Sequence, residues 1–180
     1  MTRVSSLEEA IALRTIPVQG TRGGVIVTSD WCAAVAITDR VSSRFTRPAE
    51  WPTLTHGEQL VYTLICALDG EVKNGGLHQY LTNSSGDRAE DVKGYLSELG
   101  ATELRSMFDE VSDFFPGKVI PKDRAERDSV LWPHDEPAKS AIMDQVEGIE
   151  RRYAGYWNDL WRRVMDYVEA HRAEFAAPDQ

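Results

Sequence analysis

The stretch EVKNGGLHQYLTNSSGD, Glu71 to Asp87, decides how this chain folds. It sets Glu71, Asn74, Gln79, Asn83 and Ser84 between strongly apolar runs. Side-chain amides offer both donors and acceptors to backbone groups wherever a helix breaks. Paired glycines weaken a helix interior and serve as C-caps, so a helix arriving at Asn74-Gly75-Gly76 is expected to stop there. Asn74 tolerates a left-handed conformation, and Gly75 with Gly76 permits a sharp reversal. A short turn of helix over 77–82 should follow, then a polar loop from Asn83 to Asp87 in which Asn83 or Ser85 can cap the next helix. Read structurally, the segment is a polar clamp that fixes how two helices meet. Read functionally, it is a small pocket lined by Glu71, Asn74, Gln79 and Tyr80.

Upstream, Leu60, Val61, Leu64, Ile65 and Leu68 recur at i, i+1, i+4, i+5 and i+8, a helical stripe, and Thr55 with Glu58 forms a capping box before it. Downstream, Val92, Tyr95, Leu96 and Leu99 predict one helix ending at Gly100, and Leu104, Met107, Phe108, Val111 and Phe115 a second ending at Pro116-Gly117. Asp123 and Glu126 open a short helix toward Leu131, and Pro137 suits the first turn of another. Ile142, Val146, Ile149 and Tyr153 continue that one, and Trp157, Leu160, Trp161, Val164, Met165, Val168 and Phe175 form the most regular stripe. Gly148 and Gly155 are the candidate breaks between these two helices.

The first fifty residues are less legible. Ser6 to Glu9 resembles a capping box, Gly20 to Gly24 a flexible connector, and Val25 to Thr28 a lone extended segment. Ser29 or Asp30 can cap a helix running toward Phe45, and Pro48 and Pro52 flank a linker. The expectation is an all-α fold: a single compact multi-helix domain over 54–180, preceded by a less regular helical segment and linker over 1–53.

The 180 residues hold 20 Lys+Arg against 29 Asp+Glu, a formal charge of −9. That balance disfavours direct binding to nucleic acid or anionic lipid and permits basic partners. The excess is local: residues 87–150 hold eight basic and sixteen acidic groups, a net −8. Asp109, Glu110 and Asp113 lie opposite the apolar stripe of their helix, and Asp91 and Glu98 share a face of the one before. Carboxylates three or four apart on a helix lie about 5–6 Å from each other at Cβ, close to the spacing of successive phosphates. Solvated helix faces account for the same pattern. Cys32 and Cys66 sit in apolar stretches and read as buried reduced thiols. Glu8 and Glu9 interrupt any signal-peptide core, and Leu60 to Leu68 is about half the length of a membrane crossing. A cytoplasmic setting without membrane attachment follows.

No catalytic, metal or cofactor pattern emerges. His56, His78, His134 and His171 are isolated, with no His-x-x-x-His, Cys-x-x-Cys, Gly-x-Ser-x-Gly or phosphate loop. His78 reads best as a hydrogen-bonded structural histidine. The expectation is a protein that is not an enzyme.

The segment Glu-Val-x-Asn-Gly-Gly-x-x-Gln-Tyr-x-x-Asn-Ser-Ser-Gly-Asp, with Leu54-Thr55, Glu58-Gln59, Leu99-Gly100-Ala101, Phe115-Pro116 and Pro121-x-Asp123-Arg124-x-x-Arg127, resembles the signature of a bacterial DNA-mimic protein family typified by a Neisseria protein. The similarity covers about residues 54–131 well and the last helix more loosely; Leu77 stands where an aromatic is usual. The resemblance implies an all-helical, dimeric, non-enzymatic protein that occupies a DNA-binding transcription regulator in place of DNA. The candidates for contacting such a basic partner are Asp87, Glu90, Asp91, Glu98, Glu103, Asp109, Glu110 and Asp113. Two alternatives stay open: an immunity or antitoxin-like protein that fills a toxin's basic site, and a ligand or enzymatic pocket at the central motif.

Overall fold

The structure, a computed structural model, describes residues 6–15, 20–22, 25–27, 29–44 and 48–175. Gly23, Gly24, Thr28 and Phe45, which the sequence places in a connector, a strand and a helix end, lie outside them. The elements run α1 (Leu7–Ala12), β1 (Gly20–Arg22), β2 (Val25–Val27), α2 (Ser29–Arg44), α3 (His56–Val61), α4 (Gly70–Thr82), α5 (Ala89–Glu98), α6 (Thr102–Ser112), α7 (Arg124–Leu131), α8 (Glu136–Tyr153), α9 (Trp157–Ala170) and α10 (Arg172–Phe175). The fold class is all-α, as the periodicities require, with the N-terminal segment the least regular part. It divides into two units, Met1–Cys66 with Asn158–Gln180, and Ala67–Trp157.

In the first unit the apolar stripes of α2, α3 and α9 supply the core. Ala33, Ala34, Ile37, Leu60, Val61, Leu64, Leu160, Trp161, Val164, Met165 and Val168 are buried, and Trp31 lies 6.3 Å from Trp161 between ring centroids. Both expected capping boxes form. Ser6 Oγ accepts from Glu9 N at 3.0 Å while Ser6 N donates to the Glu9 carboxylate, and Thr55 and Glu58 repeat the pattern. Arg14 bridges Asp30 at 2.6 Å and Asp166 and Glu169 at 2.8 Å. Burial alone would depress the Arg14 pKa, but the three carboxylates outweigh it and raise it.

Two N-terminal expectations are corrected. Val25–Val27 is not a lone segment and Gly20–Arg22 is not a connector, because the two pair antiparallel, Gly20 with Val27 and Arg22 with Val25. An unpaired strand would leave its ladder groups unsatisfied, and pairing supplies their partners. Cys66 is exposed and Cys32 half-buried, so neither is the buried thiol expected. The stripe at 60, 61, 64, 65 and 68 turns inward, which leaves position 66 on the far side.

In the second unit α4 packs on α7 and α8, α5 on α6, and α6 on α8. The core is Leu77, Tyr80, Leu81, Val92, Leu96, Leu104, Met107, Phe108, Val111, Leu131 and Val146, with the Tyr80 ring edge-on to Phe108. Three local differences appear. Tyr62–Asp69 is π-helical. The segment expected as a polar loop is a 3-10 turn, Ser84–Arg88. The C-terminal break falls at Gly155, one of its two candidates, in a 3-10 turn, Ala154–Tyr156, whereas Gly148 lies inside α8. Among the described residues no helix is long and apolar enough to cross a membrane.

Candidate functional site

Gly75 and Gly76 do interrupt α4. Gly75 has φ −155° and ψ 21°, and Gly76 has φ 81° and ψ 175°, so helical geometry resumes only at Leu77. Asn74 keeps a negative φ; the left-handed residue of the break is Gly76. A new helical start exposes N–H groups with no partner and a positive dipole end. Glu150, on α8, meets this need: the Leu77 N–H donates to Glu150 Oε2 at 2.7 Å.

The first half of α4 is tied to the segment after it through Glu71. Its Oε2 accepts from Gln79 Nε2 and, at 3.0 Å, from Asn83 Nδ2, while Oε1 accepts from Ser85 Oγ at 3.0 Å. Desolvation pushes the Glu71 pKa up, but the three donors together outweigh it and hold the carboxyl below its usual range. Gln79, Asn83 and Ser85 thus spend their side chains on one carboxylate across the break. Asn83 makes no side-chain cap on the next helix. Asn74 and Ser84 are exposed, and Tyr80 is fully buried, so of the four pocket candidates the structure joins only Glu71 and Gln79.

Replacing the carboxylate by an amide keeps one acceptor oxygen and sets an NH2 against the donors on the other side of a half-buried site. Glu71→Gln is expected to cost about 1–3 kcal/mol in urea unfolding. The pH dependence has a definite sign. Because the folded-state pKa lies below the unfolded one, this stabilisation is present above about pH 4.3 and is lost as pH falls through the folded value. The wild type should therefore lose more stability on acidification than Glu71→Gln.

A second knot lies at the end of α4. Arg127, on α7, is fully buried. Its Nε donates to Leu81 O at 2.6 Å, Nη1 to Pro121 O at 2.9 Å and Lys122 O at 2.8 Å, and Nη2 to Asn83 O at 2.9 Å and Asp87 Oδ1 at 2.7 Å. All five guanidinium N–H groups are used, which only the arginine fork allows. Gly86 makes room for it, since a Cβ there would stand 2.8 Å from Tyr80 O and 3.0 Å from Arg127 Nε.

The eight candidate carboxylates spread over the 3-10 turn, α5, α6 and the residue after α6. Asp87 is held by Arg127. Glu90 accepts from Lys93 and from the Ile120 N–H, and Asp91 pairs with Arg88 at 3.2 Å. Asp109 pairs with Arg105, Asp113 with Lys118 at 2.8 Å, and Glu110 with Arg152 and the Tyr153 hydroxyl. Glu98 and Glu103 stand exposed on either side of the α5–α6 turn. Asp144 and Glu147 add two exposed carboxylates on α8. Of the cations interleaved in this stretch, Arg127 and Lys93 are buried and do not interrupt the surface. Among the described residues no group of three or more His, Cys, Asp or Glu side chains is arranged to hold a metal ion.

Sequence reasoning missed Glu150 and the burial of Arg127. Each had a signal: Arg127 stands one helical turn before Leu131 on the buried face of α7, and Glu150 one turn after Val146 on α8. Nothing among curated proteins matches the chain, and no solved structure does. A family model described as DMP19-like protein, for DNA mimic protein 19, matches residues 52–171, from before α3 through the end of α9. That span includes the broken α4, its Glu71 clamp and Arg127, and the chain belongs to the DMP19-like family.

Proposed function

We propose that this chain is a non-enzymatic acidic protein that engages a basic protein, of the kind DNA-binding regulators present, through the exposed carboxylates of residues 87–150. The supporting observation is how those acids are held. Asp91, Asp109 and Asp113 pair with Arg88, Arg105 and Lys118 at the surface, where their side chains are 52%, 56% and 59% exposed. Exposed pairs of this kind are screened by solvent and contribute little to stability. An arginine-rich partner can therefore replace the internal cation at little cost. Asp87 and Glu90 are the exceptions, because releasing them would take a carboxylate from the buried Arg127 guanidinium and the buried Lys93 ammonium. Family membership and the net −8 over 87–150 point the same way. Dimerisation belongs to the same reading and is checked by light scattering.

The test is capture from the native host's lysate on immobilised protein at low salt, followed by elution with duplex DNA. The expected eluate is a DNA-binding protein, released because DNA and the acidic face compete for one basic surface. Recovery of no basic protein, or of a basic protein that duplex DNA fails to displace, contradicts the proposal.

A further inference from the structure

A second cluster, which shares Glu147 with the acidic face, lies where α4, α7 and α8 meet. The His78 ring stands edge-on to Trp132, 4.6 Å between centroids at 89°, and Lys139 Nζ lies over the same indole at 4.4 Å. Trp132 remains 36% exposed. His78 Nε2 and Asp128 Oδ1 are both buried without a protein hydrogen-bond partner. The charged groups that face it are Asp128 from α7 and Lys139 and Glu147 from α8.

We propose that His78 is a proton-operated latch on the Trp132 corner: neutral, it packs the loop between α7 and α8 onto α4, and protonated, it releases that loop. A neutral imidazole packs edge-on to an indole beside a lysine without burying a further charge. An imidazolium there places a second cation next to Lys139 and a charged Nε2–H in a buried position with no acceptor. Asp128 and Glu147 favour the charged ring, but burial, the largest influence, and Lys139 prevail and lower the His78 pKa. The sign follows. The neutral latch contributes its full stability above about pH 6.5, and that contribution is lost as pH falls through the folded value.

Side-chain NMR of the full chain, recording the four histidines and the Trp132 indole N–H against pH, tests this. His78 should titrate below the ordinary value of about 6.5. The Trp132 indole should shift with the same midpoint, and the indole titration should vanish in His78→Gln. Lys139→Gln should raise the His78 midpoint and Asp128→Asn should lower it, a pair that keeps the test intact if His78→Gln does not fold. A midpoint at or above the ordinary value would mean that Asp128 captures the charged ring instead, which overturns the latch. A Trp132 titration that persists in His78→Gln would assign the effect to neighbouring His134 and overturn it equally.

Discussion

Arg127→Ala should destabilise the chain by about 3–5 kcal/mol, the cost of breaking a buried, hydrogen-bonded charge site. The substitution removes five donors at once. It leaves the carbonyls of Leu81, Asn83, Pro121 and Lys122 and the Asp87 carboxylate without their partner. Three of those acceptors belong to α4's last turn and the segment after it, and two to the loop before α7, so one side chain joins two stretches distant in sequence. Arg127→Lys keeps the charge but offers three donors from one point rather than a planar fork, and should lose most of the same stability. Gly86→Ala should produce a loss of similar origin, because its Cβ would press on two α4 carbonyls and on Arg127 Nε. Urea unfolding of the three variants checks this. A midpoint for Arg127→Lys equal to that of the wild type would show that charge, not fork geometry, is what the site uses.

Gly76→Ala should cost about 2–4 kcal/mol. A φ of 81° with ψ 175° is a region that side chains avoid, at about 1–3 kcal/mol. The new Cβ would also stand 2.8 Å from Glu150 Oε2, driving that carboxylate off the Leu77 N–H. Glu150→Gln weakens the same bond, so the double variant should lose less than the sum of the two single losses. Gly94→Ala is the contrast. Gly94 lies in α5 with nothing within 4 Å of its would-be Cβ, and alanine there should be neutral or stabilising by up to about 1 kcal/mol. If Gly76→Ala and Gly94→Ala behave alike, the break in α4 is not fixed by Gly76.

Much of this architecture was legible. The break at Gly75-Gly76, the Ser6 and Thr55 capping boxes, the Asp123 cap and the stripes of α6 and α9 follow from local rules that act within a few residues. What escaped depends on groups distant in sequence. Whether Val25–Val27 stands alone is decided by its pairing with Gly20–Arg22, which alternation in one segment cannot show. The π-helical turn of Tyr62–Asp69 escaped because an apolar stripe at i, i+1, i+4 and i+5 suits either winding closely over two turns. Arg127 reads in sequence as one more surface charge in Arg124-x-x-Arg127, and only the convergence of four carbonyls and Asp87 makes it a core residue. For the candidate site, the net charge of the 87–150 stretch was legible, but its pairing was not. Asp87 and Asp113 are alike in sequence, yet one is held by a buried guanidinium and the other by an exposed lysine.

The clamp and the acidic face make opposite demands on a binding experiment. Gln79→Ala disturbs the clamp while leaving every exposed carboxylate in place; Glu98→Gln with Glu103→Gln does the reverse. The most direct measurement is the affinity of the captured basic partner for wild type and these two variants across a range of salt. Affinity should fall steeply with salt, and Glu98→Gln/Glu103→Gln should weaken it and flatten the salt slope, with folded Gln79→Ala close to wild type. A salt-independent affinity that survives Glu98→Gln/Glu103→Gln but is lost in folded Gln79→Ala would contradict binding through the acidic face and locate recognition at the central motif.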